Sequence, residues 1–179
     1  MSAAADPRLG QLRARVRDVP DFPKPGILFR DLTPLMGDGA AMRACVDLLV
    51  ERVSALRPDV IVAVESRGFI FGAPVAAALT VGFAPVRKPG KLPARKLRRT
   101  YDLEYGTDSL EMHADAVHAG SRVVIVDDLL ATGGTAAATV ELVREQGATV
   151  AGAVFVVELA LLEGRTRLAG VPVEALIGY

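Results

Sequence analysis

The segment from residue 127 to residue 135 carries residues whose types and spacing suit sugar-phosphate chemistry. An acidic pair, Asp127 and Asp128, is followed by the run Ala131, Thr132, Gly133, Gly134, Thr135, directly ahead of a predicted helix. A helix N-terminus presents unpaired backbone N–H groups and a partial positive charge, and both favour a phosphate. Glycines allow close approach of the backbone, and threonine hydroxyls add hydrogen-bond donors. The run therefore predicts a loop that holds a phosphate mainly through main-chain amides.

Two other phosphate-binding motifs are missing. The sequence contains neither GxxxxGK[ST] nor GxGxxG, which argues against a nucleoside-triphosphate P-loop and against a dinucleotide-binding fold. A phosphate monoester fits the glycine–threonine run better than either of those ligands.

The acidic pair predicts what the phosphate is attached to. Ionised carboxylates only accept hydrogen bonds, and a vicinal diol offers two donors at short spacing. Beside a phosphate loop, Asp127 and Asp128 therefore favour a sugar phosphate whose ribose hydroxyls donate to them. Two alternatives are the solvated end of a strand and a water-mediated Mg²⁺ site.

These residues must be positioned by a sheet. Continuous apolar runs at residues 60–64, 123–126 and 150–157 suit strands buried on both faces. Predicted helices at 68–79 and 135–146 alternate with them, and further strands are expected at 83–86 and, as an edge strand, at 171–177. This alternation predicts an α/β fold with a central, mostly parallel, twisted sheet flanked by helices.

Two more loops follow predicted strands at the edge where open parallel sheets bind ligands. Glu65, Ser66 and Arg67 follow the first strand, and Arg87, Lys88 and Lys91 follow the strand at 83–86. We expect these cations to face an anion, with a solvated turn as the alternative.

Further helices and strands are predicted outside the central sheet. Residues 6–19 and 39–56 are predicted as helices, and residues 27–29 as a short extended piece within a loop. Residues 88–120 are predicted as a two-stranded excursion outside the core. His113 and His118 have no nearby cysteine and do not suit a metal site, and Cys45 is expected in the core.

Composition limits the class of protein. The chain has 179 residues, no formal net charge and one cysteine, which indicates roughly one domain with a small attachment and argues against a general nucleic-acid binder. The N-terminus does not have the pattern of a secretory signal. Residues 69–86 are uncharged, but their glycines and prolines argue against a membrane span. We expect a cytoplasmic protein that binds neither nucleic acid nor membrane.

The run VVIVDDLLATGGT (residues 123–135) resembles the signature of the type I phosphoribosyltransferases, which bind phosphoribosyl pyrophosphate (PRPP). FPKPGILFRDLTPL, ESRGFIFGAPVA, VRKPGKLP and YDLEYGTDSLEMH resemble, in the same order, blocks of the adenine-specific branch of that family. The resemblance covers nearly the whole chain. It implies a purine salvage enzyme that joins adenine to PRPP, giving AMP and pyrophosphate through an oxocarbenium-like transition state.

The resemblance also implies roles for individual residues. The run from Ala131 to Thr135 would hold the 5-phosphate, and Asp127 and Asp128 the ribose hydroxyls. The pyrophosphate group would meet Ser66, Arg67, Arg87, Lys88 and Lys91, and Lys91 would be placed to reach a partner subunit because the family is usually homodimeric. Mg²⁺ would be held mainly by PRPP and water, without a direct protein ligand. The family commonly has a non-proline cis peptide in the first loop, here near Ser66.

Two further regions gain roles only through the resemblance. Residues 1–35 would form a small N-terminal hood ahead of a core at 36–179. In that hood, Phe29 would stack on adenine, and the backbone of Leu28 to Arg30 would bind its edge. Alternatives are an apolar patch and an ion pair between Arg30 and Asp31. Residues 95–110 would form a mobile catalytic loop, with Glu104 as acid or base and Tyr101 and Tyr105 shielding the site; an exposed hairpin is the alternative.

Three rival functions remain open from the sequence. A nucleoside-triphosphate hydrolase would use Asp127 and Asp128 on Mg²⁺, but the P-loop lysine of such an enzyme is missing. A transferase for 6-oxopurines would usually present a lysine after the last central strand, where this chain has Val157, Glu158 and Leu159. A PRPP-binding regulator without catalysis would often carry a DNA-binding domain, and neither the short N-terminal segment nor the neutral charge favours that interpretation.

Overall fold

The structure is a computed structural model that describes residues 6–102 and 106–179. The chain divides into two compact units, the first ending at Leu48 and the second spanning Leu49–Tyr179. This division lies inside a helix and does not coincide with the predicted end of the hood at residue 35, which remains a prediction about the base site.

The first unit combines short helices with a two-stranded hairpin. Helix α1 spans Pro7–Arg13, strands β1 and β2 span Arg17–Pro20 and Leu28–Asp31, and helix α2 spans Thr33–Gly37. The strands pair antiparallel, with Val19 opposite Phe29. Helix α3, Gly39–Ala55, begins in this unit and ends in the second.

The second unit is built on a five-stranded parallel sheet. Its strands are β3 (Val60–Val64), β4 (Gly82–Val86), β7 (Arg122–Leu130), β8 (Thr149–Glu158) and β9 (Val173–Gly178), in the spatial order β4-β3-β7-β8-β9. Side chains such as Ile61, Ile125 and Phe155 are almost completely buried. Strands buried on both faces need such continuous apolar runs, so the predicted α/β class is confirmed.

Helices and turns cover this sheet. Helix α4 spans Arg67–Leu79, helix α5 spans Gly134–Glu145, and two 3₁₀ turns span Ala160–Leu162 and Gly164–Leu168. Helix α5 ends before Gly147, whose φ of +77° is the left-handed conformation that commonly ends a helix. No helix in the described part of the chain is both long and apolar enough to cross a bilayer.

The excursion from the sheet is a hairpin of β5 (Lys96–Asp102) and β6 (Thr107–His113), paired antiparallel. The two-stranded prediction is confirmed, but its placement outside the core is wrong. Leu110 and Met112 on β6 have no exposed surface and belong to the main hydrophobic core. In β6, Leu110 and Met112 alternate with polar residues, so the composition of the strand did not indicate that it is buried.

Three other predicted boundaries are corrected. Strand β7 continues to Leu130, so the acidic pair lies within a strand and not in the loop that follows it. The predicted helix 6–19 ends at Arg13, because residues from Arg17 onward pair with β2. The segment predicted as a loop around residues 27–29 is followed directly by α2, which holds Pro34 in its first turn.

Candidate active site

A polar cavity of about 330 Å³ opens at the carboxyl ends of β3 and β7. The cavity is lined by the end of β3, the loop before α4, the acidic pair on β7 and the start of α5. The lining residues are Val64, Glu65, Ser66, Arg67, Asp127, Asp128, Leu129 and Thr135. A smaller cavity of about 80 Å³ shares Asp127 and Thr135 with it and extends along the turn from Ala131 to Gly134. The structure therefore brings together the acidic pair, the glycine–threonine turn and the loop at 65–67, as predicted.

The acidic pair is buried where β7 passes α4. Asp127 is 9 % exposed and Asp128 6 %. The backbone N–H of Asp128 donates to Asp127 Oδ1 at 2.9 Å. Gly68 permits this packing, because a Cβ there would lie 2.5 Å from the same oxygen. The helix can start close to the carboxylate only with glycine at this position.

The environment of Asp127 favours proton uptake by its carboxylate. Burial raises the pKa of Asp127 well above the usual value for aspartate, and the charge of Asp128 raises it further. Arg67 Nε lies 2.8 Å from Asp128 Oδ2 and partly opposes this effect. Hydrogen-bond donors that reach the pair would lower the pKa of Asp127 again, because they stabilise its charged form.

The turn between β7 and α5 has the geometry of an anion-binding loop. Gly133 adopts φ +81° at the N-terminus of α5 and offers no side chain to cap the first-turn N–H groups. A Cβ on Gly133 would lie 2.4 Å from the carbonyl oxygen of Gly164, and a Cβ on Gly164 would lie 2.2 Å from that of Ala131. The turn therefore keeps its shape because two glycine backbones pack directly on each other.

The β5–β6 hairpin reaches this turn through Tyr101. The Tyr101 hydroxyl lies 3.2 Å from Thr135 Oγ1 and donates to Asp108 Oδ2 at 3.2 Å. Its ring lies 3.1 Å from where a Cβ on Gly134 would be. Tyr101 thus lies at the turn between β7 and α5. Glu104 and Tyr105, the predicted acid or base and second shield, lie outside the described residues.

The predicted cations lie on the turn after β4, and two of them are paired with carboxylates. Arg87 donates from Nη2 and Nε to the two oxygens of Glu65, at 2.9 and 3.2 Å. These hydrogen bonds lower the pKa of Glu65. Lys88 Nζ forms an ion pair with Asp108, and this contact raises the pKa of Lys88 although burial opposes it. Lys91 is exposed.

The predicted base-binding residues lie on β2 in the first unit. Phe29 packs edge-on against Phe22 with ring centroids 5.1 Å apart, and Leu28 is 45 % exposed. Among the described residues β2 pairs only with β1, so the backbone groups of its other edge are not used in a ladder.

The alternative ion pair between Arg30 and Asp31 is not formed as predicted. Arg30 pairs instead with Asp18, and Asp31 with Arg17 at 2.5 Å. In the two-stranded hairpin these partners lie directly opposite each other, whereas neighbours on one strand point to opposite faces.

Sequence reasoning missed four residues of this site: Gly68, Asp108, Glu111 and Gly164. Each makes a contact with a residue distant in sequence, and none belongs to a spacing pattern that would predict this contact.

The non-proline cis peptide expected near Ser66 is present between Glu65 and Ser66. Within residues 6–102 and 106–179, no three His, Cys, Asp or Glu side chains are grouped to hold a metal ion.

Comparison with known proteins gives consistent matches. Residues 37–167 match the model of the phosphoribosyl transferase domain family. The adenine phosphoribosyltransferase of Desulfitobacterium hafniense is 59 % identical over 164 residues, which cover 92 % of this chain and 95 % of the relative.

Solved structures agree in fold. The adenine phosphoribosyltransferase of Thermoanaerobacter pseudethanolicus is 51 % identical with a TM-score of 0.93, covering 96 % of this chain and 99 % of that one. The Saccharomyces cerevisiae enzyme, solved with an imino-altritol bisphosphate and adenine, is 42 % identical with a TM-score of 0.89, covering 95 % and 98 %.

Proposed function

This chain belongs to the phosphoribosyltransferase family, and we propose that it is the adenine-specific enzyme of that family, acting in purine salvage. A bond forms between N9 of adenine and C1 of PRPP, the bond from C1 to pyrophosphate breaks, and the N9 proton leaves the base. The products are AMP and pyrophosphate. The observation that carries the proposal is the buried acidic pair beside the glycine–threonine turn, along two cavities that share Asp127 and Thr135.

The 5-phosphate binds the turn from Ala131 to Thr135. Backbone N–H groups of Thr132, Gly133 and Gly134 donate to its oxygens, and the Thr132 and Thr135 hydroxyls add donors. Hydrogen bonds to a charged acceptor are each worth about 1.5–3 kcal/mol. The turn needs no lysine, because amides and the α5 N-terminus supply the positive potential.

The ribose hydroxyls donate to Asp127 and Asp128. Binding the diol supplies hydrogen-bond donors to two buried carboxylates, and one of them, Asp127, otherwise has a pKa raised by burial. The same negative charge lies beside C1 when positive charge develops there, and this favours the oxocarbenium-like transition state electrostatically. Arg67, paired with Asp128, keeps the acidic pair oriented and places a positive charge near the pyrophosphate.

The pyrophosphate group binds the loop at Ser66 and Arg67 and the cations Arg87, Lys88 and Lys91. Because Arg87 and Lys88 already pair with Glu65 and Asp108, pyrophosphate binds them either by sharing these cations or by replacing the carboxylates. Mg²⁺ would be held mainly by PRPP and water, without a direct protein ligand, and would neutralise charge on the leaving group.

Adenine stacks on Phe29, and the extended backbone from Leu28 to Arg30 binds the polar edge of the base. An extended segment offers both N–H and C=O groups, which suits a base carrying both donors and acceptors. The loop at 95–110 covers PRPP, with Glu104 moving the proton at the purine and Tyr101 and Tyr105 excluding water.

Two further expectations concern the location of the protein in the cell and its oligomeric state. The single cysteine, Cys45, is buried, which suits the reducing cytoplasm, and cell fractionation tests this location. We expect a homodimer in which Lys91 approaches the partner's site, and sedimentation analysis tests the assembly.

The function is tested by mixing the full chain with Mg²⁺, PRPP and one nucleobase at a time. AMP from adenine, with little IMP, GMP or XMP from the other bases, supports the proposal. IMP or GMP as the main product favours a 6-oxopurine transferase, and PRPP binding without turnover favours a regulator.

A further inference from the structure

Glu111 is a buried carboxylate to which neither the sequence analysis nor the proposed function assigns a role. It lies on β6, is 4 % exposed, and stands between Leu110 and Met112, which have no exposed surface. Burying a carboxylate costs free energy unless hydrogen bonds compensate for the lost water. Its contacts therefore indicate what the carboxylate is for.

Those contacts converge on the turn that carries the cations. Glu111 Oε2 accepts the backbone N–H of Gly90 at 3.0 Å. The backbone of Glu111 exchanges two hydrogen bonds with Arg87, at 2.9 and 2.8 Å. The strand thus holds the beginning of the turn through its backbone and the tip of the turn through the Glu111 side chain.

Other bonds hold the same turn from the side of the cavity. Glu65 accepts the backbone N–H of Lys88 at 3.2 Å, and Arg87 Nη1 donates to the carbonyl of Lys91 at 3.1 Å. Gly90 has φ +79°, so the turn reverses at the residue that Glu111 binds. Loss of the Glu111 contact would free the tip between Lys88 and Lys91 while the beginning of the turn stays attached.

We propose that Glu111 is a positioning residue for pyrophosphate: through Gly90 it fixes the turn from Arg87 to Lys91, so that the three cations meet the diphosphate in one arrangement. The inference rests on the proposed function, because it takes these cations as the pyrophosphate site. A misplacement of about 1 Å can lower a reaction rate about 100-fold, so the position of these cations matters as well as their charge.

Two conservative variants separate the effect of side-chain length at position 111 from the effect of its charge. Glu111→Gln loses the charge but keeps a carbonyl oxygen at the same reach, whereas Glu111→Asp keeps the charge but is one methylene shorter. Glu111→Met has similar length and no acceptor. If the contact with Gly90 is what matters, Asp and Met weaken pyrophosphate binding and Gln does not.

The measurement is titration calorimetry of the full chain with magnesium pyrophosphate, and separately with AMP, whose phosphate binds at the turn 131–135. We expect the Kd for pyrophosphate to rise about tenfold or more in Glu111→Asp and Glu111→Met and to stay within about threefold in Glu111→Gln. The Kd for AMP should change less than about threefold in all three. Urea unfolding gives the folded fraction of each variant, and each apparent Kd is multiplied by that fraction, because partial unfolding weakens apparent binding.

Steady-state kinetics provides a second readout. KM for PRPP should rise in Glu111→Asp while KM for adenine stays near that of the unchanged chain. Equal pyrophosphate affinities in the Asp and Gln variants, a larger loss in Gln than in Asp, or a parallel loss of AMP binding would overturn the inference. An unchanged chain that binds neither AMP nor pyrophosphate would instead contradict the proposed function.

Discussion

Replacing Gly133 by alanine tests whether backbone shape creates the phosphate site. The new Cβ would lie 2.4 Å from the carbonyl oxygen of Gly164, whereas ordinary contact begins near 3.4 Å. The turn must therefore move by about 1 Å, which is enough to misalign the amides that donate to the phosphate. Loss of two charge-assisted hydrogen bonds, about 3–6 kcal/mol in sum, corresponds to about 100-fold or more. We expect AMP to bind at least about 100-fold more weakly.

Two glycines serve as matched controls for this substitution. Gly170 has nearly the same backbone angle, φ +78° against +81°, but a Cβ there would meet nothing within 4 Å. Gly170→Ala therefore adds only the left-handed strain, about 1–2 kcal/mol of stability. A Cβ on Gly164 would lie 2.2 Å from the Ala131 carbonyl, and Gly164 has no positive φ. Gly164→Ala thus adds the clash without that strain.

The assay is calorimetric titration with AMP, with urea unfolding of each variant as the measure of stability. We expect Gly133→Ala and Gly164→Ala to lose AMP affinity, the former most, and Gly170→Ala to keep it while losing stability. If Gly133→Ala binds AMP as tightly as Gly170→Ala, the phosphate does not lie on this turn and the reasoning is refuted.

Three further predictions concern charges. The double variant Asp127→Asn, Asp128→Asn should turn over PRPP at least about 100-fold more slowly, because amides cannot replace two anionic acceptors for the diol. Urea unfolding should show that this variant is folded. Unchanged turnover would contradict the role of the acidic pair in binding ribose. Glu104→Gln should lower kcat by about 100-fold or more with KM for PRPP nearly kept, and a kcat equal to that of the unchanged chain would remove the proton-transfer role. The backbone N–H of Thr33 and the side chain of Arg17 lower the pKa of Asp31 to about 2, so its ionised form stabilises the fold above pH 4 and this contribution is lost as the pH falls toward 2. The stability difference between the unchanged chain and Asp31→Asn should shrink over that range in urea unfolding, and a constant difference would contradict the assignment.

The sheet was predictable because its strands are buried on both faces. The apolar run at 60–64 matches β3, and helix α3 begins at the predicted residue and ends one residue early. Strand β7 was predicted too short because the continuous run of apolar residues ends before the acidic pair. Pairing with β8 continues to Leu130, and this tertiary interaction overrides the local preference of aspartate for loops.

The site was predictable where one segment carries several functional residues, as in the turn 131–135. Contacts between distant segments left no such signal. Gly164 resembles any loop glycine in the sequence, yet its backbone packs on Gly133. Glu111 stands in a polar-looking strand, and only the fold shows that it is buried and binds Gly90. Side chains that act by supporting another segment are therefore found from the structure.

The central claim is that the turn after β7 binds the 5-phosphate of a nucleotide through main-chain amides. A crystal structure of the full chain with AMP tests it most directly. We predict phosphate oxygens within about 3 Å of the backbone nitrogens between Thr132 and Thr135, with the ribose hydroxyls against Asp127 and Asp128. AMP bound with its phosphate at any other place would contradict the claim.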